Sequence, residues 1–135
     1  MPKFSKRSEA NLSTCHKKLQ KVLNFAIKHY DFTVLEGHRT KEKQDEYYEL
    51  GKSKLKFPNS KHNEYPSKAV DIAPWQPGIG IDWEDRDRFT LLANRIIGMG
   101  LAMGIKLRWG GDFNDNMSTK DSTFFDGPHL ELIDE

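Results

Sequence analysis

The side chains of this 135-residue chain best suited to chemistry are polar groups set in apolar surroundings. Asp71 sits inside Ala69-Val70-Asp71-Ile72-Ala73, where an ionised carboxylate is costly unless it is paired or bound to a metal. His129 opens the apolar run His129-Leu130-Glu131-Leu132-Ile133, and Asp126 precedes it across Gly127-Pro128. His62 lies in the polar stretch just before the Asp71 segment. Two imidazoles and a carboxylate are the ligand types of a catalytic zinc site, which keeps a fourth position for water. Each residue alone has a second reading. Asp71 serves equally well as a salt-bridged carboxylate, His129 as a satisfied strand-end histidine, and Arg39 as the ion-pair partner of Glu36 or Asp71. There is no His-Glu-x-x-His helix to fix a ligand spacing. His16 and His29 fall on the first helical segment and read as surface residues. His38, beside Arg39, reads as structural or as a support to the site.

The elements that must position these groups follow from hydrophobic period. Leu12, Cys15, Leu19, Val22, Leu23, Ala26, Ile27 and Tyr30 recur at helical spacing and predict one amphipathic helix from about Ser8 to Lys28. Phe32 to Glu36 reads as a strand stopped by Gly37. Thr40 caps a second helix that ends at Gly51. Lys52 to Lys68 is polar, contains Pro58 and Pro66, and reads as an irregular loop. A strand over 69–73 closes at Pro74, and Pro77-Gly78-Ile79-Gly80 is a turn. Asp82 is the expected cap of a third helix, whose apolar face carries Phe89, Leu92, Ala93, Ile96, Met99, Gly100 and Met103. Ile105–Trp109 and His129–Ile133 complete about four short strands, with Gly110–Ser122 as a polar loop. Three helices and a small, mostly antiparallel sheet make an α+β fold in a single domain over 1–135.

Composition narrows the function classes. The chain has 21 Lys+Arg against 20 Asp+Glu, but the charge is uneven. Residues 1–70 hold 15 basic and 8 acidic groups, and 71–135 hold 6 and 12. No basic stripe with interleaved aromatics or known module marks a nucleic-acid binder. The basic half suits either a solvated helical face or an anionic surface such as a cell wall. No stretch approaches the roughly 18 apolar residues of a membrane span. The start, MPKFSKRSEANLS, has no apolar core of a secretory signal. A lone Cys15 excludes an internal disulfide framework and a four-thiolate zinc site.

Four ordered segments, GHRT (37–40), SKH…AVDIAP (60–74), LRWGGDF (107–113) and DGPHLEL (126–132), resemble the zinc D-Ala-D-Ala carboxypeptidase-like peptidases. The resemblance is nearest to the small phage endolysins that are L-alanyl-D-glutamate peptidases, and runs from about Asp31 to Leu132. It implies the Hedgehog/DD-peptidase fold, with His62, Asp71 and His129 as zinc ligands. It also implies Asp126 as the catalytic acid/base and Arg39 as the arginine beside the substrate carbonyl. The family pattern is Ser-x-His-x-x-Gly-x-Ala-x-Asp. Here the stretch from His62 to Asp71 is two residues longer, and Ser67 stands where glycine is usual. The added residues, with Pro66 among them, are expected to bulge outward and leave the ligands in place.

The implied activity is zinc-dependent hydrolysis of the L-Ala–D-Glu bond in the peptidoglycan stem peptide, by a monomer that lyses a phage host. Such a protein waits in the host cytoplasm until a separate permeabilising protein releases it to the wall. The rivals are a D-Ala-D-Ala carboxypeptidase or dipeptidase, and a non-catalytic cell-wall-binding module. One further cluster, Asp112, Asn114, Asn116, Ser118 and Asp121, partly resembles a calcium loop. Met117 replaces its turn glycine and Thr123 its bidentate glutamate. A solvated loop is the favoured reading, with regulation by Ca2+ as the alternative.

Overall fold

Four short, largely apolar segments build one antiparallel sheet. Its strands are β1 (Phe32–Glu36), β2 (Ala69–Pro74), β3 (Leu107–Trp109) and β4 (His129–Leu132), in the spatial order β1-β2-β4-β3. The computed structural model describes residues 2–110 and 127–133. Asp126 and the 112–121 cluster therefore lie outside the described residues. Four helices, α1 (Lys6–Ser13), α2 (Lys17–Ala26), α3 (Lys41–Glu49) and α4 (Arg86–Ala102), join a single 3-10 turn over Lys61–Asn63. The expected α+β class holds, with one helix more than predicted.

The sheet has two unlike faces. In β4, Leu130 and Leu132 are buried, whereas His129 and Glu131 are only partly covered. In β2, Val70 and Ile72 enter the core. They meet Leu19, Val22 and Leu23 of α2 and Phe89, Leu92, Ala93 and Ile96 of α4 within one buried cluster. Side chains alternate along a strand, so packing of one face commits Asp71, His129 and Glu131 to the other.

The extra helix arises at Thr14-Cys15-His16, where the predicted Ser8–Lys28 helix is broken. Cys15 forms an isolated parallel bridge to Ser67. His16 N–H donates to the Ser67 carbonyl at 2.8 Å, and Ser67 N–H to the Thr14 carbonyl at 2.9 Å. His16 then caps α2, its Nδ1 accepting from Lys18 N–H at 3.1 Å. Neither Gly nor Pro marks the break, and the apolar stripe runs through it in phase. Only pairing with a distant segment favours the kink. The Cys15 thiol is fully buried there, and burial pushes its pKa up to about 12. At the other end of the fold, Asp85 and not Asp82 caps α4, accepting from Arg88 N–H at 3.1 Å. Asp82 instead accepts from Glu84 N–H in the preceding turn.

Gly37, at the end of β1, abuts the helix break. A Cβ at Gly37 would lie 2.4 Å from Thr14 Oγ1, 2.5 Å from the Asn11 carbonyl oxygen and 2.8 Å from Cys15 Sγ. Gly37→Ala is therefore expected to cost roughly 1–3 kcal/mol, the usual range for overpacking. Gly98, exposed on α4, has nothing within 4 Å of its ideal Cβ. Gly98→Ala should accordingly gain about 0.5–1 kcal/mol through helix propensity. Denaturation midpoints of the two variants, moving in opposite directions from the parent, check both.

Candidate metal centre and its cavity

The site is a row across three strands. Asp71 on β2 pairs with His129 on β4 and, on its other side, with Glu36 on β1. The second pairing depends on a register shift. Val34 is opposite Ile72, yet Glu36 is opposite Asp71, so Leu35 is the extra residue of a bulge. In regular register Leu35 would face Asp71, and Glu36 would be carried away from it. The bulge thus sets an acid at the place where Arg39 needs one.

His62 reaches the row from the 3-10 turn. Ser60 caps that turn, its hydroxyl accepting from His62 N–H, while the Asn63 side chain accepts from Ser60 N–H. Arg39 N–H donates to the His62 carbonyl at 2.7 Å, tying the turn to the segment after β1. Ser67, in the position of the usual glycine, is fully buried. Its hydroxyl donates to the Ala69 carbonyl at 2.6 Å, so the departure leaves no unsatisfied group there. Glu64, Tyr65 and Pro66 are exposed, and the longer stretch bulges outward as expected. His38 lies away from the row, edge-on to the Tyr65 ring at 5.2 Å.

Hydrogen bonding decides which imidazole nitrogens face inward. His62 Nδ1 lies 2.7 Å from the Gly37 carbonyl, which can only accept, so this nitrogen carries the proton. His62 Nε2 is left with its lone pair 3.2 Å from Asp71 Oδ1. His129 Nε2 lies 2.7 Å from Glu131 Oε1, again an acceptor, and His129 Nδ1 is left 3.4 Å from the same Asp71 oxygen. With neutral rings, two lone pairs and a carboxylate converge with no proton among them. Such an arrangement could hold a cation, and the three candidate ligand atoms lie within 4.8 Å of one another. The carbonyl of Gly37 and the carboxylate of Glu131 act as the outer partners that orient metal-binding imidazoles elsewhere. The donor set fits zinc.

Asp71 favours positive charge in this place. Burial by itself would raise its pKa, but the charge of a protonated His62, with the hydrogen bonds and charge of His129, outweighs burial and holds Asp71 well below the usual carboxylate range; a cation between neutral rings would supply the same positive charge. Glu131 is likewise opposed by burial, yet His129 and Lys61 bring it down to about 2. Lys61 Nζ lies 3.2 Å from Glu131 Oε2 and also donates to the Leu132 carbonyl.

Arg39 is buried beside the row. Its Nε and Nη2 donate to Glu36 Oε1 at 2.9 and 2.5 Å, and Nη2 lies 3.7 Å from Asp71 Oδ2. Both ion pairs considered from the sequence exist, and they hold the guanidinium at the site instead of removing it. Arg39 Nη1 donates to Gln44 Oε1 at 2.9 Å. Gln44, on α3, does not stand out in the sequence as a support to the site, nor does Glu131. Gln44 is fully buried; its oxygen also accepts from Asn63 Nδ2, and its amide donates to Ser53 Oγ and the Leu55 carbonyl. A fully polar residue on the inner side of α3 was the available signal, since an unpartnered buried amide is costly.

These groups open on a cavity of about 380 Å³, whose lining includes Arg39, Tyr47, Lys52, His62, Asp71 and His129. Asp126 is outside the described residues. The residue after it, Gly127, is anchored, because the Trp109 indole N–H donates to its carbonyl at 2.7 Å. Pro128 is held in turn by Ile72 N–H.

The comparisons with known proteins agree with one another. A family model described as phage L-alanyl-D-glutamate peptidase matches residues 1–133. The L-alanyl-D-glutamate peptidase of Escherichia phage T5 is 38% identical over 136 residues, covering 97% of this chain and 98% of that protein. The crystal structure of the Serratia marcescens L-Ala D-Glu endopeptidase ChiX superposes with a TM-score of 0.77 at 30% identity, over 96% of this chain and 89% of that one. The sheet register that assembles the site and the length of these matches lead to one statement: this chain belongs to the phage L-alanyl-D-glutamate peptidase family.

Proposed function

We propose that this protein is a zinc-dependent endopeptidase that cleaves the L-Ala–D-Glu bond of the peptidoglycan stem peptide and serves as a phage endolysin. The observation that carries the zinc reading is the convergence of two imidazole lone pairs on one Asp71 oxygen. The relatives named for this bond, one of them from a phage, support the substrate and the lytic role. His62, Asp71 and His129 would hold the metal. A zinc ion there supplies Lewis-acid polarisation of a carbonyl and a water acidic enough to serve as nucleophile near neutral pH.

The chain's own residues do the rest. Arg39 has donors left beyond those used by Glu36 and Gln44, and its position at the cavity wall suits it to receive negative charge on the scissile carbonyl oxygen. Glu36 and Gln44 keep its plane fixed, so little reorganisation is needed as that charge develops. Asp126 takes the proton from the attacking water and returns it to the leaving amine. Glu131 and Gly37 hold the two imidazoles in the tautomers that point their lone pairs inward. No helix among the described residues is long and apolar enough to cross a membrane. A monomer acting on the wall after release by another protein accords with this role.

Three outcomes test the reading. His62→Ala and His129→Ala should each lose most bound zinc and all lytic activity, measured by elemental analysis and by turbidity loss of wall suspensions. Full zinc occupancy in His129→Ala would remove it from the ligand set. Arg39→Lys keeps the charge but not the planar fork. Its turnover should fall roughly a hundredfold, as when one oxyanion donor is lost, while zinc content stays unchanged. Asp126→Asn should keep its zinc and lose roughly two to four orders of magnitude in rate. Loss of metal together with activity in that variant would make Asp126 a ligand. Mass spectrometry of digested peptidoglycan, with and without a chelator, identifies the bond through a new D-Glu amine.

A further inference from the structure

The substrate of the proposed reaction carries a charge that the catalytic groups leave unmatched. A D-glutamyl residue has two carboxyl groups, and the peptide continues through only one. The other remains as a free carboxylate a few bonds from the scissile nitrogen, on the leaving side. A site selective for this residue needs a cation for it, because a desolvated carboxylate without a partner is strongly disfavoured.

Among the described residues, three cationic side chains line the cavity: Arg39, Lys52 and Lys54. Arg39 is held by Glu36 and Gln44 beside Asp71, and its remaining donors serve the scissile carbonyl. Lys52 differs. Among the described residues no carboxylate pairs with it, and its ammonium lies 5.5 Å from the centroid of the Tyr47 ring. Arg39 sits over the same ring at 4.6 Å, so Tyr47 bridges the carbonyl-binding cation and a second positive charge. The backbone that carries Lys52 is not a loose loop end. Lys52 N–H and Ser53 N–H both donate to the Tyr47 carbonyl, at 2.8 and 3.1 Å. The Ser53 hydroxyl is held by Gln44, the amide that also orients Arg39. One buried side chain thus sets the spacing between the two cations.

From this arrangement we infer that Lys52 is a specificity-determining residue, which receives the free carboxylate of the D-glutamyl residue while the scissile carbonyl lies against Arg39 and the metal ligands. The inference rests on the L-Ala–D-Glu reading and deepens it. A lysine suits the task because its flexible stem and three donors follow a carboxylate that reaches the site with the substrate.

The test uses two synthetic stem peptides that differ only in that group, one with the carboxylate and the other with a primary carboxamide. The zinc-loaded parent should prefer the acid in kcat/KM by roughly ten- to a hundredfold, the span of a hydrogen bond to a charged group. In Lys52→Met the acid-to-amide ratio should fall toward one, with the loss appearing in KM more than in kcat. Lys52→Arg should restore the preference. The leaving-side product should inhibit the parent more strongly as the acid than as the amide, and this difference should vanish in Lys52→Met. Lys52 is exposed, so a folding failure is not expected, and zinc content measured on each preparation confirms an intact centre. Equal cleavage of both peptides by the parent, or an unchanged ratio in Lys52→Met, overturns the role of Lys52 and leaves the activity standing. A parent that cleaves neither peptide overturns the L-Ala–D-Glu reading and the role of Lys52 with it.

Discussion

Everything at the site depends on one oxygen. Asp71 Oδ1 faces two imidazole nitrogens whose protons have been drawn outward, by the Gly37 carbonyl on one side and the Glu131 carboxylate on the other. Three acceptors held so close repel one another until a positive charge stands between them. The outer acceptors matter as much as the inner ones, because they decide which nitrogen presents its lone pair. A ring turned over at either histidine would turn an N–H donor toward Asp71 in place of a lone pair.

The fold supports this by assigning its two sheet faces to different tasks. Leu130, Leu132, Val70 and Ile72 bury one face under α2 and α4, and a slip by a single residue would drive the polar set into that core. Burial therefore fixes the register of Asp71 against His129. The same alternation places Glu131 beside His129, two residues along the strand. At β1 the alternation is interrupted once, at Leu35, and the interruption brings Glu36 to the row.

A second layer of order comes from buried polar groups with no water to fall back on. Gln44 meets Arg39, Asn63, Ser53 and Leu55 at once, joining α3, the His62 turn and the loop after α3. In low dielectric such a network is rigid when complete and costly when broken. Ser67 shows the same economy of groups. Its hydroxyl closes on the Ala69 carbonyl, and its backbone pairs with the break between α1 and α2, so the end of the longer His62–Asp71 stretch is tied to the core. The extra residues can then sit outside without moving His62 or Asp71.

The residue types of the candidate metal centre, their order along the chain and the α+β class were legible in the sequence. An aspartate inside an apolar strand and a histidine at the start of another are local conflicts that stand out against their neighbours. The segments around Arg39, His62, Asp71 and His129 also carried the family resemblance. Four strands and the buried faces of α2 and α4 could be read from period alone, because burial of one face imposes that period, whereas α3 buries the polar Gln44 and leaves Tyr48 and Leu50 exposed. What the tertiary structure alone decided has a common cause: it depends on groups far apart in the chain. The helix breaks at Cys15 because Ser67, 52 residues later, pairs with it, and no local residue signals the break. The bulge at Leu35, the four bonds of Gln44 and the inward lone pairs of His62 and His129 are likewise consequences of neighbours across strands. Hydrophobic period reports which side of an element is buried, whereas hydrogen-bond partners and register are settled only when the elements meet.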